Sequence, residues 1–218
     1  MAVDNVQARG TETRKGDEPV QTTKPRLAAE TWVDGALAMI GKEGIAALSV
    51  ESLAAELGGT KGSFYWHFAN RDALITAAFE RWEALATRAV IDAAEQGGSA
   101  RERLALLLEI VVRPTPQDAI EAAIVNTPPD PLWSPVLRRV AEQRLAYLAS
   151  IFRDLGFSRA VAARRAYTAY AAYLGMVQLE ADDGHHRSVR SAGPYVDELI
   201  TMFVSGAPNP DRTRRSRR

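Results

Sequence analysis

The sequence predicts an all-α fold of about nine helices. Apolar residues recur at helical spacing over most of the chain, and capping residues and glycines stand where those segments begin and end. Alternating Val/Ile-rich runs bounded by turn dipeptides, which would indicate strands, do not occur. Because 46% of the 218 residues are hydrophobic, the chain can bury a sizeable core.

The predicted helix boundaries rest on local capping signals. Ser134 precedes Pro135 at a first helical position, and Ser99 with Glu102 forms a capping box. Glycines such as Gly58 are typical helix stops. The predicted helices span 26–43, 50–57, 60–67, 71–96, 99–113, 116–126, 134–155, 158–181 and 192–204.

Composition excludes several classes of function. The chain has no cysteine, so disulfides, zinc–thiolate sites and thiol catalysis are excluded. The N-terminus lacks the apolar segment of a secretory signal, and no apolar run is long enough to span a membrane. These features favour a cytoplasmic protein with no membrane partner. No Ser/His/Asp arrangement and no phosphate-binding glycine loop after a strand is present, so we expect no enzyme activity.

One polar cluster resembles a metal site. Asp182, Asp183, His185 and His186 stand together between two predicted helices. Acidic and histidine-containing loops are common on protein surfaces, and the spacing implies no particular coordination geometry. We therefore interpret the cluster as a solvated loop and predict neither a metal site nor a cofactor.

Residues 48–71 carry the most informative pattern. Ser49 can cap a short helix whose buried side includes Leu53, and Gly58-Gly59 ends that helix in a tight turn. Thr60 can cap a second short helix, and two short helices joined by a glycine turn form a helix-turn-helix. The amphipathic segment Leu27–Glu43 supplies a third helix for a small core.

The second short helix has an unusual exposed face. Phe64 and Phe68 can anchor its buried side, and small residues lie at its N-terminal end. Such an N-terminus suits a phosphate, and the helix fits the major groove of B-DNA. Lys61 there can reach guanine O6 and N7. The exposed donors and amphipathic rings are Lys61, Ser63, Tyr65 and His67.

The segment GGTKGSFYWHFANRDAL resembles the recognition helix and the start of the fourth helix of the TetR family, and the match extends from about Lys24 to Leu85. The resemblance implies a sequence-specific transcriptional regulator, a homodimer that binds a palindromic double-stranded DNA operator. It further implies a repressor that a small-molecule effector releases. The implied contacts are base contacts from Lys61, Gly62 and Ser63, and backbone contacts from Ser49, Thr60, Tyr65, His67 and Arg71.

Two positions depart from the family pattern. Gly59 replaces an apolar residue, which we expect to loosen the packing of the turn. Glu51 stands where several relatives have arginine, and a carboxylate there would repel phosphate or accept from cytosine N4. From Leu27 to Arg71 there are three basic and five acidic residues, a net charge of about −2. We therefore expect few phosphate contacts, to which Lys24 and Arg26 before the first helix could add.

The chain divides into four predicted regions. Residues 1–23 form a disordered extension, 24–84 the DNA-binding domain, 85–205 the ligand-binding and dimerisation domain, and 206–218 a disordered Arg-rich tail. In the third region the resemblance is only architectural. The predicted dimer face comprises Val161, Tyr170, Leu174, Val177, Leu199 and Phe203. The predicted pocket comprises Leu104, Leu108, Val111, Ile124, Trp133, Leu137, Tyr147 and Ile151, although the apolar pattern favours a core position over a ligand contact for each of them.

Two alternatives to a ligand-controlled regulator remain open from the sequence. One is a helical small-molecule-binding protein without DNA-binding activity, and the other is a regulator that responds to a protein partner instead of a ligand. Activation in place of repression is also open. The operator sequence, the effector and the regulated genes leave no readable signal in the sequence.

Overall fold

The computed structural model describes residues 27–113, 115–181 and 193–208, which are helical and contain no strand. The all-α prediction is therefore confirmed. Nine helices are present in these ranges. They are α1 (Ala29–Glu43), α2 (Val50–Glu56), α3 (Lys61–Tyr65), α4 (Arg71–Glu83, Ala84–Arg88 and Ala89–Ala94 in continuous succession), α5 (Ala100–Val112), α6 (Pro116–Val125), α7 (Ser134–Asp154), α8 (Arg159–Ala181) and α9 (Gly193–Val204).

The structure adds two details to the predicted boundaries. A 3-10 turn, Ile45–Ala47, lies between α1 and α2. The predicted long helix after Asn70 is continuous, but its middle segment, Ala84–Arg88, is a π-helical turn. Such turns widen a helix locally and leave backbone carbonyls in need of other partners, and they are frequent at functional sites.

The caps predicted at Ser99 and Ser49 are confirmed, whereas the cap predicted at Ser134 is wrong, because Ser134 lies inside its helix after the N-cap residue Trp133. The Ser99 hydroxyl accepts from the backbone N–H of Glu102 at 3.2 Å, and the Ser99 N–H donates to the Glu102 carboxylate at 2.8 Å. Ser49 caps α2 with Ser52 as its reciprocal partner. The Asn70 side chain accepts from the N–H of Ala73 at 2.8 Å and so begins α4. These side chains satisfy N–H groups that the first helical turn leaves without partners.

The buried side chains form two core clusters. The first surrounds Trp32, Leu53, Phe64 and Phe79, which join α1 to α4, and it continues to Val136 on α7. The second lies among α5, α7, α8 and α9. Its members include Leu104, Ile151, Phe152, Ala162, Leu199, Ile200 and Phe203. Helix α4 thus leads from the first cluster towards the second.

A close helix crossing also links the two parts of the molecule. Gly41 of α1 lies against Ile120 of α6, where a Cβ added to the glycine would lie 2.8 Å from Cγ1 of Ile120. In the second core cluster, Arg165 of α8 caps the end of α9. Its guanidinium donates to the carbonyl oxygens of Phe203 and Ser205 at 2.8 and 2.6 Å.

Several predictions concern residues outside the described ranges. These are the disordered extension 1–23 and tail 206–218 (apart from 206–208), the residues Lys24 and Arg26, and the Asp182–His186 cluster. Among the helices within the described ranges, none has the length and apolar character needed to cross a membrane. The same ranges contain no group of acidic and histidine side chains arranged to hold a metal ion.

Candidate nucleic-acid interface and interior cavity

Helices α2 and α3 form the helix-turn-helix that the glycine spacing predicts. Gly58 has φ +64°, a left-handed conformation that ends α2 and turns the chain towards α3. The Thr60 hydroxyl then accepts from the N–H of Ser63 at 3.1 Å and begins α3. Phe64 is fully buried and meets the Trp32 ring edge-on, with the centroids 5.5 Å apart. A helix of five residues is therefore held on its core by one aromatic anchor.

Gly59 makes the turn tighter, contrary to the loosening expected from the sequence. A Cβ added there would lie 3.0 Å from two carbons of the Trp32 ring and 2.9 Å from Cδ1 of Leu27. The indole occupies the space that an apolar side chain would fill in the turn. The expectation was wrong because the filling residue comes from α1, which spacing within the turn does not reveal.

The exposed face of α3 carries small side chains at the start of the helix and aromatic side chains at its end. Around Gly62, a Cβ would meet only the Thr60 hydroxyl, at 3.8 Å, so another surface can approach the backbone closely there. Tyr65 is 57% exposed and Trp66 is 72% exposed. Trp66 has no role among the sequence predictions, although a bulky ring directly after α3 is visible in the sequence.

Ser63 faces the protein more than the solvent. Its hydroxyl oxygen is buried and has no hydrogen-bond partner, while its N–H is bound by Thr60. The base contact that the family resemblance implies for Ser63 therefore has no accessible hydroxyl in this conformation. Thr60 and Ser49 act as helix caps, and both lie at the surface end of their helices.

Lys61 and Glu51 form an ion pair across the helix-turn-helix. Both side chains are more than half exposed, at 58% and 62%. Hydrogen bonding to Lys61 lowers the pKa of Glu51, and the same bond raises the pKa of Lys61. The acidic residue that departs from the family pattern thus neutralises the main predicted base-reading side chain in the free protein.

His67 and Arg71 hold the local backbone together. His67 Nε2 lies 2.8 Å from the carbonyl oxygen of Leu27, at the start of the described chain. Arg71 donates from Nε to the carbonyl of Leu48 at 2.6 Å and from Nη2 to that of Ile45 at 2.8 Å. The backbone phosphate contacts implied for both residues would compete with these bonds. No sequence signal marks the distant carbonyls as their partners.

An interior cavity lies between α4, α5, α7 and α8. It comprises about 560 Å³ of empty space, including its open mouth. Of the predicted pocket residues, Leu108, Val111 and Tyr147 line it; Leu104 and Ile151 lie in the second core cluster, and Ile124, Trp133 and Leu137 pack with the first. The other lining residues are Ala86, Thr87, Val90, Ile91, Leu107, Arg144, Leu148, Ala169, Tyr170 and Tyr173.

Arg144 connects this cavity to α4 and α6. Its guanidinium donates to both carboxylate oxygens of Glu121, at 2.6 and 3.2 Å, and to the Thr87 hydroxyl at 3.0 Å. It also donates at 3.0 Å to the carbonyl of Ala86 in the π-helical turn. Trp82 Nε1 donates to the Glu121 carboxylate at 3.1 Å. Burial alone would lower the pKa of Arg144, but Glu121 outweighs burial and raises it.

Aromatic rings surround the same guanidinium. The Arg144 Cζ lies 5.5 Å from the ring centroid of Trp82 and 5.9 and 5.6 Å from those of Tyr170 and Tyr173. The two tyrosine rings stack with centroids 6.4 Å apart. Cation–π attraction therefore adds to the ion pair. No sequence signal singles out Arg144, because its partners lie on three other helices.

The residues predicted for a dimer face point largely into their own chain. Val177, Leu199 and Phe203 are buried within one chain, and Tyr170 packs against Arg144. Val161 and Leu174 are half-buried. The large apolar side chains that α8 and α9 expose in the described ranges are instead Tyr167, Leu179 and Met202. The predicted face of each helix is therefore turned largely inward.

Comparison with known proteins supports the resemblance noted in the sequence. Residues 33–78 match the family model described as bacterial regulatory proteins, tetR family. The fold is similar to that of a transcriptional regulator from Rhodococcus sp. Rha1, with TM-score 0.68 and 16% identity over 83% of this chain and 96% of that one. No curated protein matches the sequence.

Two further solved structures share the fold. FadR from Bacillus subtilis, in complex with stearoyl-CoA, has TM-score 0.65 and 13% identity over 82% of this chain and 99% of FadR. A TetR transcriptional regulator from Legionella pneumophila has TM-score 0.64 and 16% identity over 84% of this chain and 100% of that one. The matched residues 33–78 include α2 and α3, so the helix-turn-helix of this chain is similar to that of the bacterial regulatory proteins of the tetR family.

Proposed function

We propose that the protein is a sequence-specific transcriptional repressor that leaves a palindromic operator when a small molecule enters the interior cavity. One observation carries this proposal. Arg144 lines the cavity and also binds the π-helical turn of α4, the helix that begins directly after α3. A ligand that moves Arg144 would therefore move α4, and α4 is joined to α3 by a short segment of chain.

Base reading falls to the start of α3. Lys61 can donate to guanine in the major groove, and the open space around Gly62 allows the helix N-terminus to approach the bases. We propose phosphate contacts from the N-cap residues Ser49 and Thr60 and from the exposed Tyr65. His67 and Arg71 stabilise the unit from within, since their side-chain nitrogens are bound to backbone carbonyl oxygens, and the buried Ser63 hydroxyl is not assigned a base contact.

A second copy of the chain completes the reading unit. The proposed contact surface consists of Tyr167 and Leu179 on α8 and Met202 on α9, whose apolar side chains are exposed in a single chain. Helices α8 and α9 from two chains would form a four-helix bundle. The dimer would place two α3 helices roughly 34–36 Å apart, as a palindrome requires. We retain 24–84 and 85–205 as the two proposed domains.

The proposed switch acts through α4 and α6. Arg144 binds Ala86 and Thr87 of α4, and its partner Glu121 is adjacent to Ile120, which packs on Gly41 of α1. A ligand that favours a different position of Arg144 would move both contacts with the DNA-binding domain. To shift the dimer from 1:99 to 99:1 between its two states, such a ligand needs about 5.5 kcal/mol of differential affinity.

Selection of bound fragments from genomic DNA, followed by anisotropy titration of the recovered site, tests the function. We expect a palindromic site and a roughly 5- to 150-fold loss of affinity in Lys61→Ala. Lys42→Ala is a matched control, because Lys42 is an exposed lysine that pairs with its neighbour Glu43 on α1. Recovery of no common site, or equal loss in both variants, would contradict the proposal.

A further inference from the structure

We infer that the interior cavity takes an uncharged, mainly apolar ligand, of aromatic character and with one hydrogen-bonding group that meets Tyr147. This inference deepens the proposed function, on which it rests only for the view that the ligand is a regulatory one. It follows from three features: the apolar wall of the cavity, the buried Arg144–Glu121 ion pair at one side of it, and the buried hydroxyl of Tyr147.

The wall of the cavity is apolar and aromatic. The lining combines aliphatic side chains such as Leu107 and Val111 with the rings of Tyr170 and Tyr173. Burial raises the pKa of both tyrosines, so they remain neutral at physiological pH. Arg144 is the one charged side chain among the lining residues that the described ranges contribute. Flat apolar molecules match such a wall, because they gain both burial and ring contacts.

Arg144 would normally suggest an anionic ligand, but its charge is already matched. Its guanidinium binds Glu121, Thr87 and Ala86, and three aromatic rings surround it. The Glu121 side chain is 3% exposed, so an anion that displaced it would leave a buried carboxylate with Trp82 as its remaining donor. The guanidinium would repel a cationic ligand, and the residues that line the cavity include no acidic side chain to pair with it. Either charge on the ligand is therefore disfavoured.

Tyr147 supplies the polar contact. It lies one helical turn after Arg144 on the same wall, and its hydroxyl oxygen is buried with no hydrogen-bond partner. Burial raises the pKa of Tyr147, and the nearby Glu95 carboxylate raises it further. The hydroxyl is thus a neutral group that can donate and accept. A buried polar group without a partner favours a ligand that supplies one.

Calorimetric titration of the DNA-free, full-length protein with four matched bicyclic probes tests the inference. The probes are naphthalene, 2-naphthol, 2-naphthoate and 2-naphthylmethylammonium at neutral pH. We expect 2-naphthol to bind most tightly, with naphthalene roughly fivefold weaker. Both charged probes should bind at least roughly tenfold more weakly than 2-naphthol. Tyr147→Phe should bind naphthalene as the parent does and lose the preference for 2-naphthol.

Two variants locate the site. Ala169→Leu fills the cavity and should abolish binding of all probes, whereas Ala146→Leu adds the same group at an exposed position of α7 and should leave binding unchanged. Tighter binding of either charged probe, binding unaffected by Ala169→Leu, or no binding by any probe would overturn the inference. Probes that bind as expected but do not release operator DNA would contradict the proposed function alone.

Discussion

Two ion pairs show how differently the halves of this molecule use charge. Lys61 and Glu51, at the proposed DNA-reading surface, are both more than half exposed. Arg144 and Glu121, beside the cavity, are 10% and 3% exposed. Each pair joins one basic and one acidic side chain from different helices. The two pairs therefore differ in their exposure to solvent and not in the chemistry of their charged groups.

The difference predicts different roles. Water and salt screen the exposed pair, so it contributes little to stability and exchanges readily for a DNA partner. The buried pair has lost its hydration, and each member depends on the other and on the surrounding donors and rings. An exposed pair is therefore suited to reading a ligand, while a buried pair is suited to holding helices in one arrangement.

The largest expected effect is on folding stability. Glu121→Gln leaves Arg144 buried without its counter-ion and should lower the free energy of unfolding by about 3–5 kcal/mol. Glu51→Gln, the same substitution in the exposed pair, should leave the free energy of unfolding unchanged within error. Urea denaturation of both variants at one protein concentration measures this. Equal losses would remove the distinction between the pairs.

Two glycines offer a similar contrast in packing. Gly59→Ala brings a methyl group against the buried Trp32 ring and should destabilise the protein by about 1–3 kcal/mol. Gly62→Ala adds the same methyl in open space and should not destabilise it, yet it should weaken operator binding by obstructing the approach of α3. Thermal unfolding and anisotropy titration separate the two effects. Destabilisation by Gly62→Ala would show that its surroundings are closed.

Release of Lys61 should tighten DNA binding modestly. Glu51→Gln removes the carboxylate that Lys61 binds in the free protein and removes a negative charge near the phosphates. We expect operator affinity to rise roughly two- to fivefold at low salt and the gain to shrink as salt increases. A loss of affinity, confined to sites with a particular G·C pair, would instead identify Glu51 as a reader of cytosine.

The smallest expected effect is that salt changes the pKa of Glu51 but not that of Glu83. Lys61 lowers the pKa of the exposed Glu51, and Arg139 lowers that of Glu83, whose side chain is 3% exposed. At about 1 M salt the pKa of Glu51 should return towards 4.5 while that of Glu83 stays low. Because folding lowers the pKa of Glu83, its contribution to stability is present above about 4.5 and is lost as the pH falls. Carboxyl NMR titrations at two salt concentrations measure both values.

The N-terminal lobe was the more predictable of the two. Caps such as Ser49, Thr60 and Asn70 act on N–H groups three residues away, so the sequence alone shows both partners. Hydrophobic spacing likewise identifies buried anchors such as Phe64. The partners of His67 and Arg71 are backbone carbonyls between 23 and 40 residues away, and any residue type can provide a carbonyl.

In the second lobe, spacing showed which helices are amphipathic but not which neighbour each apolar stripe meets. Val177 and Phe203 were expected between chains and lie within one chain, while Tyr167 and Met202 are exposed on the same helices. Three of the eight predicted pocket residues line the cavity, since a buried leucine beside a cavity has the same sequence signal as one in a core.

Short-range interactions therefore allowed the residues alone to predict the all-helical class, most helix boundaries and caps, and the helix-turn-helix. Long-range packing decided that Trp32 fills the turn at Gly59, that Arg144 joins the cavity to α4, and that Glu51 neutralises Lys61. The physical reason is distance along the chain. Capping and periodicity act within one or two helical turns, whereas the partners of these side chains come together only when separate helices pack.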